Sequence, residues 1–355
     1  MLPLEDKRIL VTGGTGSLGK VLVRRLLGAE LGKPRQIIVL SRDEAKQHDM
    51  RLSYMKRESA TDEIIYENFR ELLTFRIGDV RDFHSVSGAV RQADVVFNAA
   101  ALKQVPTCEY FPYEAVQTNI TGPENIVRAI RELDLPVELV VGVSTDKACK
   151  PVNVMGMTKA IQERVFIRAN LDRPASRFLC VRYGNVLASR GSVIPLFHDQ
   201  IRKGGPVTIT DPEMTRFLLS LDDAVDTIFA AVKEGQRGET YIPRIPAARV
   251  VDIATALIGD RAIETRIVGI RPGEKLHEIL ISEEEIHRTL ARGSYYIIQP
   301  ILPEIQSESI TSPLQREYSS ADELMPAAQL HGMLEARGLL VEQNTVFDEQ
   351  RELLR

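Results

Sequence analysis

Thr12-Gly13-Gly14-Thr15-Gly16-Ser17-Leu18-Gly19 stands between the apolar run Lys7–Thr12 (KRILVT) and Leu18–Leu27, where apolar residues recur at helical spacing. Glycines at 13, 16 and 19 form GxxGxxG in a strand–turn–helix setting. A tight turn there needs a residue without Cβ constraints. Backbone N–H groups at the helix start must stay open to a pyrophosphate, and the third glycine lets helix and strand pack closely. The context predicts a dinucleotide cradle built from Gly13, Thr15, Gly16, Ser17, Leu18 and Gly19. Working outward, Gln36–Leu40, Phe75–Ile77, Val95–Asn98, Val137–Val143 and Phe178–Val181 read as buried strands, with helical patterns such as Glu114–Glu132 between them. Continuous apolar strands alternating with helices imply a parallel sheet covered on both faces. The expected fold is α/β, a Rossmann-like doubly wound parallel sheet with a smaller C-terminal substrate-binding lobe.

After Tyr183 the pattern loosens, and Gly191, Pro195, Gly204-Gly205-Pro206, Pro212, Pro243, Pro246 and Pro272-Gly273 punctuate short elements. The expected division is a dinucleotide-binding domain over 1–183, a lobe over 184–292 partly interleaved with it, and an extension over 293–355. From Gly293 the chain reads as polar and irregular, ending in the charged stretch Asp348–Arg355.

Composition narrows the function classes. The 355 residues are 44% hydrophobic and 26% charged, enough to bury a large core and unlike a disordered chain. Forty-five basic against 49 acidic residues give a formal charge of −4, which offers no electrostatic support for nucleic acid. Cys108, Cys149 and Cys180 are widely spaced, with no CxxC or Cys/His pairing, so neither a disulfide framework nor a metal site is expected. No signal-peptide stretch precedes the first glycines and no run reaches transmembrane length, which predicts a cytoplasmic protein without a membrane partner.

The end of the second strand selects the cofactor. NAD sites usually place an acid there to hold the ribose 2′-hydroxyl. This chain has Ser41-Arg42, with Lys46 one helical turn on. A hydroxyl and two cations suit a 2′-phosphate, so NADP is expected. Asp79 and Val80 after the third strand would flank the adenine, and Ala99 and Ala100 after the fourth would let the backbone pass close to the cofactor.

The chemistry is expected in Val143-Ser144-Thr145-Asp146-Lys147 and Val154-Met155-Gly156-Met157-Thr158-Lys159. Short-chain dehydrogenases carry a tyrosine four residues before a lysine on one helix, with a Ser or Thr at the preceding strand end. Lys159 takes the lysine position and Thr145 the hydroxyl, but Met155 stands where the tyrosine would be. An i,i+4 pair shares a helix face, so the geometry survives while the phenol is lost. Asp146-Lys147 offers a replacement acid–base pair if burial and mutual charge tune it. A sugar 4,6-dehydratase needs such a pair. Once C4 is oxidised, a base removes the C5 proton and an acid protonates the departing C6 hydroxyl.

Seven stretches carry a resemblance: TGGTGSLG (12–19), SRDEAKQ (41–47), AALKQVPTCEYFP (100–112), STDKACKPVNVMGMTKA (144–160), RYGNVLASRGSVIP (182–195), DPEMTRF (211–217) and GIRPGEKLHE (269–278). The chain resembles the polysaccharide-biosynthesis branch of the extended short-chain dehydrogenases, the nucleotide-sugar 4,6-dehydratases acting on UDP-N-acetylglucosamine. EYSS (317–320) resembles the tail of the short members that modify capsule and O-antigen precursors, and Met155 matches the capsule-type members. The resemblance implies that Thr145 polarises the C4 oxygen, Lys159 holds the nicotinamide ribose, Asp146 is the acid at C6 and Lys147 the base at C5. The acceptor of the C4 hydroxyl proton stays open among Lys159, Thr145 and Asp146 acting through water. Asn119 is implied near the cofactor. Lys103, Asn185, Val193, Thr208, Arg216, Arg271 and Glu274 are implied on the nucleotide-sugar side, in a homo-oligomer, dimer or hexamer. Two alternatives stand beside the hydro-lyase. One is a UDP-sugar 4-epimerase, for which the Asp146-Lys147 pair has no use. The other is an NADP-sensing binding protein, against which the retained Lys159 and substrate-side arginines argue.

Overall fold

The computed structural model describes residues 2–55, 61–187, 192–270, 273–306 and 311–341. β1 (Arg8–Thr12), β2 (Gln36–Ser41), β3 (Leu73–Ile77), β4 (Val95–Asn98), β5 (Leu139–Thr145) and β6 (Arg177–Tyr183) lie parallel in the spatial order β3-β2-β1-β4-β5-β6. A strand at Thr240–Pro243 joins β6 in parallel, and the hairpin of Thr289–Arg292 with Tyr295–Ile298 adds two antiparallel strands, nine in all. The doubly wound α/β fold is as the sequence predicts. The large sheet thus takes strands from 240–243 and 289–298 as well as from the first 183 residues.

β1 pairs with β2 on one side and β4 on the other, with Val11 opposite Val39 and Phe97. The chain builds outward from β1 one way and then returns to build the other way. Loops leaving β1 and β4 therefore diverge, opening a crevice at their carboxyl ends. Both faces of the sheet are apolar because both are covered. α1 (Ser17–Leu27) and the Leu221–Glu234 helix bury Leu22, Val23, Leu26, Val225 and Ile228 on one side. Helices Gly122–Glu132 and Val154–Asp172 bury Ile126, Ile130 and Phe166 on the other. Each such side chain is worth about 1.5–3 kcal/mol relative to exposure, so the strand ends beneath the crevice are firmly held. A separate core of Phe197, Ile201, Val207, Ile209, Ile253 and Leu257 organises the lobe.

Two local readings change. β5 runs Leu139–Thr145 rather than Val137–Val143, so Ser144 and Thr145 belong to the ladder, opposite Arg182 and Tyr183 of β6. Beyond Gly293 the chain is not simply irregular. Gly293, at φ +56°, turns the hairpin into Tyr295–Ile298, and Ala327–Ala336 is a helix that buries Leu330 and Leu334. These apolar groups are too short to announce themselves in a polar stretch, and tertiary burial orders them. Among the described residues no helix is long and apolar enough to cross a membrane.

Candidate active site

A cavity of about 420 Å³ lies in the crevice. Every residue expected to hold the cofactor lines it except Asn119 and Lys159, and Lys103, expected on the substrate side, lines it as well. Gly13 turns the chain at φ +68°, and a Cβ there would stand 2.7 Å from Ala100 Cα, so only glycine lets the two strand ends pass. A Cβ at Gly19 would meet Gly13 O at 2.5 Å, the close helix–turn packing that the motif predicts. Gly16 caps α1 with no side-chain hydrogen bond, leaving the helix N–H groups open toward the cavity. At the rim Thr15 Oγ and Ser41 Oγ share a hydrogen bond of 2.9 Å. Arg42 lies 3.7 Å from Asp79, and Lys46 lies 2.8 Å from Asp43. These pairs are exposed and weak, so an incoming phosphate can compete for both cations. Lys20, which the sequence reading passed over, lines the same rim. Burial lowers its pKa, and the charge of Lys46 adds to the fall.

A second cavity, about 180 Å³, is lined by Lys147, Asn185, Val193, Thr208, Arg216 and Glu274. It collects the expected substrate residues other than Lys103 and Arg271, the latter outside the described residues. Glu274 Oε2 is buried there without a hydrogen-bond partner.

At the wall of the smaller cavity, β5 ends in a short 3-10 turn, Asp146–Ala148. Thr145 Oγ donates to Asp146 Oδ1 at 2.8 Å. Lys147 Nζ donates to Asp146 Oδ1 and to Asn185 Oδ1, each at 3.1 Å, and lies 3.1 Å from Glu278 Oε1. Arg216 Nε is 3.8 Å from the same Glu278 oxygen. Asp146 and Glu278 are almost wholly buried. Burial pushes the Asp146 carboxyl above its ordinary range against the pull of Lys147, and the Glu278 charge adds to the rise. Burial also opposes ionisation of Glu278, but Lys147 and Arg216 outweigh it and hold that carboxyl low. For Lys147, burial disfavours the ammonium, yet Asp146 and Glu278 prevail and raise its pKa. The arrangement is one ammonium shared by two unequal carboxyls.

The Val154–Asp172 helix starts against this turn. Asn153 caps it by accepting from Gly156 N at 2.8 Å, and a Cβ at Gly156 would stand 2.2 Å from Lys147 O. Gly156 therefore sets the distance between the helix and the Asp146–Ala148 turn. Met155 is buried in an apolar cluster with Cys108 and Ala115. Lys159 Nζ donates to Val143 O and, at 2.6 Å, to Gln162 Oε1. Burial lowers its pKa to about 8. Asn119 holds both the N–H and C=O of Leu102 and donates to Thr158 Oγ at 3.0 Å, bracing the loop after β4 against the helix.

Beneath the turn lies a buried network that the sequence reading did not foresee. Ser144 Oγ donates to Glu163 at 2.5 Å, and Arg182 bridges Glu163 at 2.7 Å and Glu285 at 2.8 Å. It joins β5, β6, the helix and the C-terminal part of the chain. Nothing in local spacing could reveal it, because its members meet only through the sheet.

The crevice, the glycine turn and the parallel sheet with helices on both faces define a Rossmann-type α/β protein. More particularly, the chain belongs to the polysaccharide biosynthesis protein family, whose model matches residues 9–300. It is 43% identical over 298 residues to a UDP-glucose 4-epimerase of Rickettsia massiliae, covering 82% of this chain and 83% of that one. Pen from Bacillus thuringiensis is similar in structure at a TM-score of 0.83 and 32% identity, covering 95% of this chain and 99% of that one. DesIV, a dTDP-glucose 4,6-dehydratase of Streptomyces venezuelae solved with NAD and TYD, shares the fold at a TM-score of 0.62 and 24% identity, covering 76% and 86%.

Proposed function

We propose that this protein is a nucleotide-sugar 4,6-dehydratase working with NADP in the larger cavity and UDP-N-acetylglucosamine in the smaller one. The observation that carries the reading is the buried Asp146, 3.1 Å from Lys147 on the wall of the smaller cavity. Moving a hydrogen at C4 requires one acid–base group, whereas eliminating water across C5 and C6 requires a further pair. The residues of the larger cavity fit a dinucleotide. The cradle is one that a Cβ would fill, the helix N-terminus is open, and Thr118 Oγ on the wall is buried without a partner. Ser41, Arg42, Lys46 and Lys20 fit a 2′-phosphate, and no strand-end carboxylate takes the ribose position. Bound there, the nicotinamide supplies redox chemistry that oxidises C4 and reduces C6, with no net change.

The chain's own part is proton handling. Thr145 Oγ faces Asp146 as a donor, so it can take the C4 hydroxyl proton as it passes its own to that carboxyl. The raised pKa makes Asp146 a competent acceptor there, and afterwards the acid that protonates the C6 oxygen as water leaves. Lys147 takes the C5 proton and gives one back. Arg216 and Asn185, with Arg271, would hold the diphosphate, and the unpartnered Glu274 oxygen would accept from a ribose hydroxyl. A product for surface polysaccharide accords with the family.

A 4-epimerase is the second reading, favoured by the name of the Rickettsia relative. Incubation with UDP-N-acetylglucosamine and NADP separates the two by proton NMR. The dehydratase yields a new C6 methyl signal and a hydrated 4-keto carbon without accumulating reduced nicotinamide. A UDP-N-acetylgalactosamine product with C6 intact would establish the epimerase instead.

A further inference from the structure

The dehydratase reading, on which this inference rests, asks two things of one cluster. Asp146 must take up the C4 hydroxyl proton, and Lys147 must then meet C5 as a neutral amine. Two groups cannot do both. An Asp146 carboxylate beside a Lys147 ammonium becomes, on receiving the C4 proton, a carboxylic acid beside an ammonium, and no base is left. A third proton site is required, within reach of Lys147 and shielded from water.

We propose that Glu278 is that site: it takes the Lys147 proton once Asp146 has accepted the C4 proton, and returns it at the end of each turnover. Glu278 Oε1 is 3.1 Å from Lys147 Nζ. Oε2 is buried with no hydrogen-bond partner, so a proton placed on it displaces no existing bond. Before substrate arrives, Lys147, Arg216 and Lys275 keep Glu278 ionised. Arg216 stands 3.8 Å away, a loose pairing, and it lines the cavity that would receive the diphosphate. A diphosphate that draws the guanidinium to itself removes part of what keeps Glu278 charged, and so readies the transfer.

The protons and electrons balance. The C4 hydroxyl proton reaches Asp146 through Thr145 as C4 is oxidised, and one Lys147 N–H proton moves to Glu278. The Lys147 lone pair takes the C5 proton, the C5–H electrons form a C5=C6 bond, and the C6–O bond breaks with the Asp146 proton leaving in water. When C6 is reduced, Lys147 returns a proton to C5 and recovers one from Glu278. Asp146 and Glu278 end as carboxylates and Lys147 as the ammonium, as at the start. Glu278 itself lines the smaller cavity, but in this scheme it exchanges a proton only with Lys147 and so acts as a positioning residue for that proton.

E278Q keeps the size and hydrogen bonding of the side chain but cannot take up a proton as a carboxylate does; E278D keeps the carboxylate. Each NADP-loaded protein is incubated with UDP-N-acetylglucosamine in D2O. The readouts are deuterium at C5 and the transient near-ultraviolet band of reduced nicotinamide. Carboxyl carbon NMR titrates the unloaded protein. The expected E278Q protein forms the transient and binds UDP within about threefold of wild type. It loses C5 labelling by about 10²–10⁴-fold, and E278D recovers much of that loss. In the unloaded E278Q protein Asp146 titrates lower, because a charge that raised its pKa is gone. C5 labelling by E278Q at the wild-type rate, loss of the transient in step with the labelling, or an unmoved Asp146 titration would overturn the proposal. If E278Q fails to fold, E278D against E278N, equal in size, makes the same comparison. A wild-type protein that makes no dehydrated product overturns the dehydratase reading itself; wild-type labelling alongside an unimpaired E278Q removes only the role of Glu278.

Discussion

Lys159→Met should make the protein more stable at neutral pH while impairing the site. Burial lowers the Lys159 pKa from an ordinary 10.5 to about 8. At about 1.4 kcal/mol per tenfold, that gap means folding spends about 3 kcal/mol on an ammonium it would rather neutralise. Because the folded-state value lies below the unfolded one, the unfolded chain binds more protons between the two. The penalty is therefore full below about pH 8 and fades as pH climbs toward the unfolded value. Methionine fills similar space without charge, but it gives up the hydrogen bonds to Val143 O and Gln162 Oε1, which offset part of the gain. Urea unfolding at several pH values should find the Lys159→Met protein more stable than wild type by about 1–3 kcal/mol at pH 7, with the advantage shrinking steadily on the alkaline side. A variant destabilised at pH 7, or an advantage constant with pH, would refute the reasoning.

Two further outcomes follow from the same geometry. Arg42→Ala removes a rim cation beside Ser41, so calorimetric titration should show NADP binding weakened far more than NAD binding; equal losses would dismiss the 2′-phosphate assignment. Gly156→Ala forces a Cβ to 2.2 Å from Lys147 O and must push the helix away from the Asp146–Ala148 turn. It should cost about 1–3 kcal/mol in urea unfolding and lower turnover more than substrate binding, and an unaffected variant would mean the turn has more room than described.

Much of the fold was legible because it is local. Apolar strands, the GxxGxxG turn and the helix behind it each announce themselves within a dozen residues, and the six parallel strands form on their apolar runs, with β5 starting and ending two residues later than its run suggests. The crevice was legible for the same reason, since Gly13, Ser41 and Ala100 stand at or just past the ends of strands that must finish side by side. The ion pair of Asp146 with Lys147 could be expected from their adjacency, but the contact of Lys147 with Glu278 could not. Glu278 was present in a quoted motif, yet nothing in its spacing says that the lobe returns it to β5. The Arg182 network and the Ala327–Ala336 helix escaped for a related reason: their partners are chosen by tertiary burial. Met155 shows the converse, a substitution visible in sequence whose packing against Cys108 only the structure supplies.

The central claim is that Lys147 exchanges the C5 proton in a dehydration assisted by Asp146. Its most direct test is the proton NMR spectrum of UDP-N-acetylglucosamine turned over with NADP in D2O, by wild type and by Lys147→Ala. An ammonium scrambles its hydrogens with the solvent, so the wild-type product should carry deuterium at C5 and its new methyl group should appear as a singlet. Lys147→Ala should lose product by about 10²–10⁴-fold while still binding NADP and UDP. A Lys147→Ala protein that dehydrates the sugar at the wild-type rate, or a wild-type product that keeps hydrogen at C5 and a methyl doublet, would contradict the account.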